Sequence, residues 1–256
     1  MKKVMALLLI LLIGVMGIAF LEDRKQVLEE ETVPSPTPSP TVQTIVVTMP
    51  PEPEETPDFY STDSLLVVAN KAHKLPDGYE PSDLTRPNVA MSADWTLREP
   101  AARALEEMFE AAEQDGVHLV LGSAYRPESY QRQLWNNYAA QYSPERADRI
   151  SSRPGYSDHQ TGLAVDIVQG MNSGLGTDFN ETFENTPEGK WLRAHAQEYG
   201  WIMRYPKGKE DITGYAYEPW HFRYIGKEYA SAIYEASEWE TFEEYFNVEG
   251  GKEYKE

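Results

Sequence analysis

The chain has 256 residues, enough for one ordinary domain with appendages or at most two small domains, and its 41% apolar content is enough to bury a core. Its 23 basic residues against 42 acidic ones leave a net charge of −19. That field excludes a nucleic-acid binder, whose affinity comes largely from Lys and Arg on phosphates, and docking by charge on an anionic lipid surface. The absence of Cys excludes disulfides, thiolate nucleophiles, Cys-ligated zinc and a lipoprotein anchor.

In chain order, Lys2 and Lys3 precede an uninterrupted apolar run of 18 residues at 4–21. That length spans a bilayer as a helix, and the two lysines place the N-terminus in the cytoplasm, so the rest of the chain is expected outside. A cleaved signal peptide, with small residues at Gly17-Ile18-Ala19, is the competing reading, and it too exports the domain. Residues 22–60 read as a stalk. Pro34, Pro36, Pro38 and Pro40 alternate with small hydroxyl residues, and Pro50, Pro51, Pro53 and Pro57 follow. Such a stretch favours extended polyproline II, rising about 3.1 Å per residue, and serves as a spacer.

A catalytic domain is expected over 61–237. Leu65-Leu66-Val67-Val68 is a buried-strand candidate, followed by a Pro76-Asp77-Gly78 turn. Residues 98–115 predict a helix, with Ala102, Leu105, Phe109 and Ala112 on one face and Gly116 closing it. A strand is expected at 117–121, a polar-faced helix at 128–142 and a strand at 162–168. A helix over 190–199 ends at Gly200. Strands at 201–205 and 220–224 and a helix at 227–236 complete the pattern. Strands and helices mix without strict alternation, which predicts an α+β domain with a small, mostly antiparallel sheet flanked by helices. The tail 238–256 carries seven Glu against Lys252 and Lys255; a short helix through Trp239, Phe242 and Phe246 is expected before it frays.

Of the five histidines, His73, His118 and His195 read as structural. The other two sit in Ser157-Asp158-His159-Gln160-Thr161-Gly162-Leu163-Ala164-Val165-Asp166 and in Glu218-Pro219-Trp220-His221. Catalytic zinc takes three protein ligands from His, Asp or Glu and keeps a fourth position open. Asp166 ends an apolar run, where a buried carboxylate needs a partner that a metal would supply. Gly162 allows a bend that turns His159 and Asp166 toward one ion. Glu218 and His221 are three apart, which on a regular strand places them on opposite faces. Pro219 predicts a local irregularity that brings them together. Taken alone, these spacings leave both a metal site and paired structural residues open.

The pattern Ser157-x-His159-x-x-Gly162-x-Ala164-x-Asp166 followed by Glu218-Pro219-Trp220-His221 resembles the VanY-type D-alanyl-D-alanine carboxypeptidases, zinc peptidases that share their fold with the Hedgehog amino-terminal domain. Leu75-Pro76-Asp77-Gly78-Tyr79-Glu80-Pro81, Ser123-Ala124-Tyr125-Arg126, Tyr130-Gln131, the segment 200–206 and Thr213-Gly214-Tyr215 extend the resemblance over roughly 64–236. It implies zinc on His159, Asp166 and His221, Glu218 as catalytic base, and Arg126 facing the substrate. It also implies Ser123, Gln131 and Ser157 in the substrate pocket. Peptidoglycan stem peptides are the implied substrate, with release of the terminal D-alanine. An L,D-carboxypeptidase on tetrapeptide stems, a peptidoglycan endopeptidase and a non-catalytic wall-binding module are the alternatives. Ala124 stands where the family usually has Gly, and its methyl is expected to narrow the pocket or alter the turn.

Overall fold

The computed structural model describes residues 56–169 and 179–255; the apolar run 4–21 and the stalk up to residue 55 lie outside them. Among the described residues no helix is long and apolar enough to cross a membrane. Packing begins at the expected end of the stalk, where the Phe59 ring meets Phe242 edge-on, with centroids 5.9 Å apart.

Two short strands, β1 (Leu84–Thr85) and β2 (Leu97–Arg98), pair antiparallel and lead into helix α1 (Glu99–Gln114). Helix α1 starts with Pro100 in its first turn and an acidic Glu99, both favourable at a helix N-terminus. It buries Ala101, Ala102, Leu105, Met108, Phe109 and Ala112, a stripe at three- and four-residue spacing that faces the core. Strand β3 (Leu119–Ser123) follows, then α2 (Glu128–Gln141), α3 (Pro144–Ile150), and a single 3-10 turn, Asp158–Thr161, that runs into β4 (Ala164–Gln169). Helix α4 (Pro187–His195) tightens into a 3-10 turn at Ala196–Tyr199 and stops at Gly200, whose φ of 87° is left-handed. A side chain at Gly200 would stand 2.7 Å from the Tyr224 ring, so glycine is required twice over. After it come β5 (Trp201–Met203), the short α5 (Glu210–Thr213), β6 (His221–Tyr224), α6 (Lys227–Ala236) and α7 (Phe242–Phe246).

The main sheet has four strands in the order β3-β4-β6-β5, and each neighbouring pair is antiparallel. Because side chains alternate across a strand, Val165, Ile167, Phe222 and Trp201 turn to the α1 side and join Leu105, Met108 and Leu121 in the principal core. Asp166, His221 and Arg223 turn to the opposite face. The expected α+β architecture is the one observed.

Three local expectations are corrected. Residues 66–68 are buried and Leu65 half-buried, but 65–68 form a turn and an extended segment rather than a strand. The carbonyls of Leu65 and Val67 accept from the Arg223 guanidinium instead of a sheet partner. Helix α3 was not foreseen, although Ser143 caps it by accepting from the Arg146 N–H and Pro144 opens it. The acidic tail does not fray after its short helix. Glu243 is buried against Arg204, Tyr254 accepts a hydrogen bond from the Arg153 N–H, and the Tyr156 hydroxyl donates to the Lys255 carbonyl.

Candidate active site

Register across the sheet assembles the site. Asp166 on β4 lies opposite His221 on β6. On its other side Asp166 lies opposite Ser123, after an irregularity between Leu121 and Ser123 in β3. In regular alternation Ser123 would point to the core with Leu121. The bulge at Gly122 shifts it to the site face, as a one-residue slip does. Ser123, Asp166 and His221 therefore form one row. His159 enters from the 3-10 turn before β4, and that turn ends at Gly162 with φ of 70°. Glu218 reaches the same place because Glu218 to His221 is a tight turn, in which the His221 N–H donates to the Glu218 carbonyl at 3.1 Å. The irregularity expected around Pro219 is this turn.

The distances are those of a metal-binding cluster. His159 Nε2 lies 3.2 Å from Asp166 Oδ2, and His221 Nδ1 lies 3.1 Å from Asp166 Oδ1. Three donor atoms on a tetrahedral zinc with bonds near 2.0–2.1 Å stand about 3.3 Å apart, so the residues fit the ion. The outer contacts fit as well. His159 Nδ1 pairs with the Ala124 carbonyl at 2.8 Å, leaving Nε2 for the metal. His221 Nε2 pairs with Asp158 at 3.3 Å, leaving Nδ1. Each imidazole is thus held in one tautomer and orientation by a partner behind it. Asp166 Oδ1 is buried, and despite its closeness to His221 it has no aligned hydrogen bond among the described residues. A cation is the partner that such an oxygen lacks.

The charges follow the geometry. Burial raises the Asp166 carboxyl, but His159 and Arg126 outweigh it and hold the group well below the usual range. Burial, then the neighbouring Arg126, lowers His159 to about 4. Burial also works against charge on His221, yet its bond to Asp158 and the nearby Asp166 carboxylate lift it to about 9; a divalent ion must displace that proton to bind. Enclosure raises Glu218 to about 7, opposed by His221 and reinforced by Asp166. Its Oε2 lies 3.5 Å from His221 Nδ1.

Arg126 donates from Nη2 to Asp166 Oδ2 at 2.6 Å and from Nε to Ser123 Oγ at 3.0 Å. Its Nη1 has no hydrogen-bond partner among the described residues. Arg126, Ser123, Gln131, Ser157 and Glu218 all line a cleft of about 810 Å³ above the metal ligands, so all the proposed pocket residues are brought together. Gln131 is spent mainly on the wall, donating to Ser151 Oγ and the Ser152 carbonyl. Ala124 is a correction. Its methyl is fully buried in the principal core and does not line the cleft, so it does not narrow the pocket. His118 and His195 pair with Glu113 and Glu198, away from the cleft. Sequence reasoning passed over Asp158, which the motif spells out but gives no reason to single out. It also missed Tyr205, whose ring packs on His221 with centroids 4.7 Å apart.

Two imidazoles and a carboxylate at zinc spacing, flanked by a carboxyl group near neutrality and an arginine in an open cleft, make up the centre of a zinc hydrolase. Similarity to known proteins defines the group further. The VanY family profile, described as D-alanyl-D-alanine carboxypeptidase, matches residues 94–227, and the chain belongs to this family. It is 43% identical over 189 residues to YodJ of Bacillus subtilis (strain 168), covering 72% of this chain and 67% of that protein. Among solved structures it is similar to the LdcB LD-carboxypeptidase, with a TM-score of 0.66 at 42% identity over 72% of this chain and 86% of that one. It is also similar to a variant of the vancomycin-resistance D,D-pentapeptidase VanY in complex with Zn(II), with a TM-score of 0.60 at 30% identity over 72% and 99% of the two chains.

Proposed function

We propose that the protein is a zinc-dependent carboxypeptidase that hydrolyses the terminal D-alanine from peptidoglycan stem peptides. The observation that carries the proposal is the His159–Asp166–His221 cluster with Glu218 at 3.5 Å from its edge, open to the cleft. His159, Asp166 and His221 would hold zinc, which when bound would polarise the scissile carbonyl and lower the pKa of water toward about 7. Glu218, whose Oε2 lies 3.5 Å from His221 Nδ1, takes the proton from the attacking water and passes it to the departing amine. Arg126 has its Nη1 available to grip the terminal carboxylate or the oxyanion, while its bonds to Asp166 and Ser123 fix the plane of the guanidinium. Ser123 and Ser157 line the pocket in which the stem peptide lies.

An L,D-carboxypeptidase acting on tetrapeptide stems is the second reading, favoured by the 42% identity to LdcB. We further place residues 1–21 as a membrane anchor or signal segment and 22–60 as a stalk, so that the catalytic domain, with the tail packed on it, works outside the membrane on wall material. Glu218→Ala tests the proton step: the variant retains zinc and loses roughly 10²–10⁴-fold in turnover. D-alanine release at the wild-type rate would remove Glu218 from the reaction.

A further inference from the structure

The catalytic cluster rests on a second, wholly buried set of charges that the reaction does not use. Asp158, Arg204, Arg223 and Glu243 have side chains no more than 2% exposed, and their formal charges cancel, two against two. Glu243 belongs to α7, in the C-terminal segment beyond the family match. Its carboxylate takes both terminal nitrogens of Arg204, at 2.8 and 2.6 Å, and a third donor from Asn70 Nδ2 at 2.9 Å. Arg204 keeps only Nε toward Asp158, at 3.9 Å from Oδ2, too far for a hydrogen bond. Arg223 Nη1 occupies Asp158 Oδ1 at 2.5 Å. The remaining oxygen, Oδ2, is the one that pairs with His221 Nε2. Arg204 is also joined to the ligand through the main chain, its N–H donating to the His221 carbonyl at 3.1 Å.

We propose that Glu243 is a positioning residue for the metal site: by occupying the Arg204 guanidinium it leaves Asp158 Oδ2 to His221, which keeps His221 Nδ1 turned toward the metal. Two effects act in the same direction. Without the Glu243 carboxylate, the terminal nitrogens of Arg204 lose their acceptor, and the carboxylate already within 3.9 Å of that side chain is Asp158. Arg204 then competes with His221 for Oδ2. The buried set also changes from neutral to one excess positive charge beside a site that must accept a dication, where a low local dielectric makes charge costly. The C-terminal segment is on this account part of the metal site, although none of its residues touches the ion.

This inference rests on the zinc reading, and the test separates the two. Metal-stripped full-length protein is titrated with zinc against a chromogenic chelator, alongside Glu243→Gln, Glu243→Asp and Thr241→Ala. Thr241 caps α7 through its hydroxyl, whose hydrogen bonds go to Glu244 and to none of the four buried charges, so T241A loosens the same helix while leaving Arg204 engaged. E243Q is expected to raise the zinc Kd roughly tenfold or more, the size seen when an outer partner of a ligand is removed. T241A stays within about twofold of wild type. E243D keeps the charge but withdraws it by one methylene; it gives an intermediate loss and carries the test should E243Q not fold. Nitrogen NMR of the metal-free protein reports independently, with the His221 Nε2 proton signal displaced in E243Q and unmoved in T241A. Wild-type protein that fails to bind zinc overturns the metal-site reading. Wild-type affinity in the Glu243 variants overturns this inference alone, and so does equal weakening by T241A, which makes Glu243 only a clamp for the helix.

Discussion

Gly162 is where the backbone between two metal ligands is most constrained, and replacing it with alanine separates two costs. The residue sits at φ 70°, and a Cβ there would stand 3.0 Å from Arg98 Cγ, 3.1 Å from Pro81 Cγ and 3.2 Å from Leu84 Cδ2. Gly208 has a similar φ of 79° but nothing within 4 Å of the same added atom. Both G162A and G208A bear the left-handed penalty of about 1–2 kcal/mol. Only G162A adds the crowding of an overfilled core, about 2 kcal/mol. For a domain of this size that difference is roughly 4–8 °C in Tm. Thermal unfolding of the two metal-stripped variants followed by circular dichroism reads it directly. The G162A protein also binds zinc more weakly, because the turn that presents His159 must shift against β4. Coincident melting curves for the two variants refute the packing argument.

Other consequences follow from the same geometry. Arg126→Lys retains charge but loses the fork that spans Asp166 and Ser123, so kcat/KM for the stem peptide falls about 10²–10³-fold while zinc stays bound; steady-state kinetics with metal analysis checks both halves. Lys71 is buried, donates to the Gly214 carbonyl and is lowered by burial from 10.5 to about 8. Because the unfolded chain holds that proton to higher pH, the stability of wild type relative to Lys71→Met rises between pH 8 and 10.5 and levels off above it; urea unfolding across that range measures the slope, and a flat difference contradicts the assignment.

Much of the fold was legible because local chemistry agrees with tertiary packing. The α1 stripe at three- and four-residue spacing, the glycine stop at Gly200 and the helix at Lys227–Ala236 all lie where their sequence patterns put them. The ligand set was only half legible: the buried carboxylate at Asp166 and the proline between Glu218 and His221 left a metal site and paired structural residues both open, and it was the resemblance to the VanY-type carboxypeptidases that pointed to His159, Asp166 and His221, which the fold brings together. The rest depends on partners remote in sequence. Residues 65–68 read as a strand because a short apolar run has no period to distinguish it from other buried segments. Its carbonyls are satisfied by Arg223, more than 150 positions away. The Ser123 side chain reaches the site only through a bulge, which no spacing rule reveals. The tail looked solvated because it is acidic, yet its Glu243 is neutralised by a buried arginine that only the folded chain brings near.

The central claim is tested most directly by incubating the purified protein with defined pentapeptide and tetrapeptide muropeptides and reading the products by mass, with chelator, without it, and after zinc is restored. Loss of one D-alanine from the pentapeptide, abolished by the chelator and recovered with zinc, is the predicted result. Intact muropeptides after prolonged incubation with the zinc-loaded protein, or release that persists in the chelator, would contradict it.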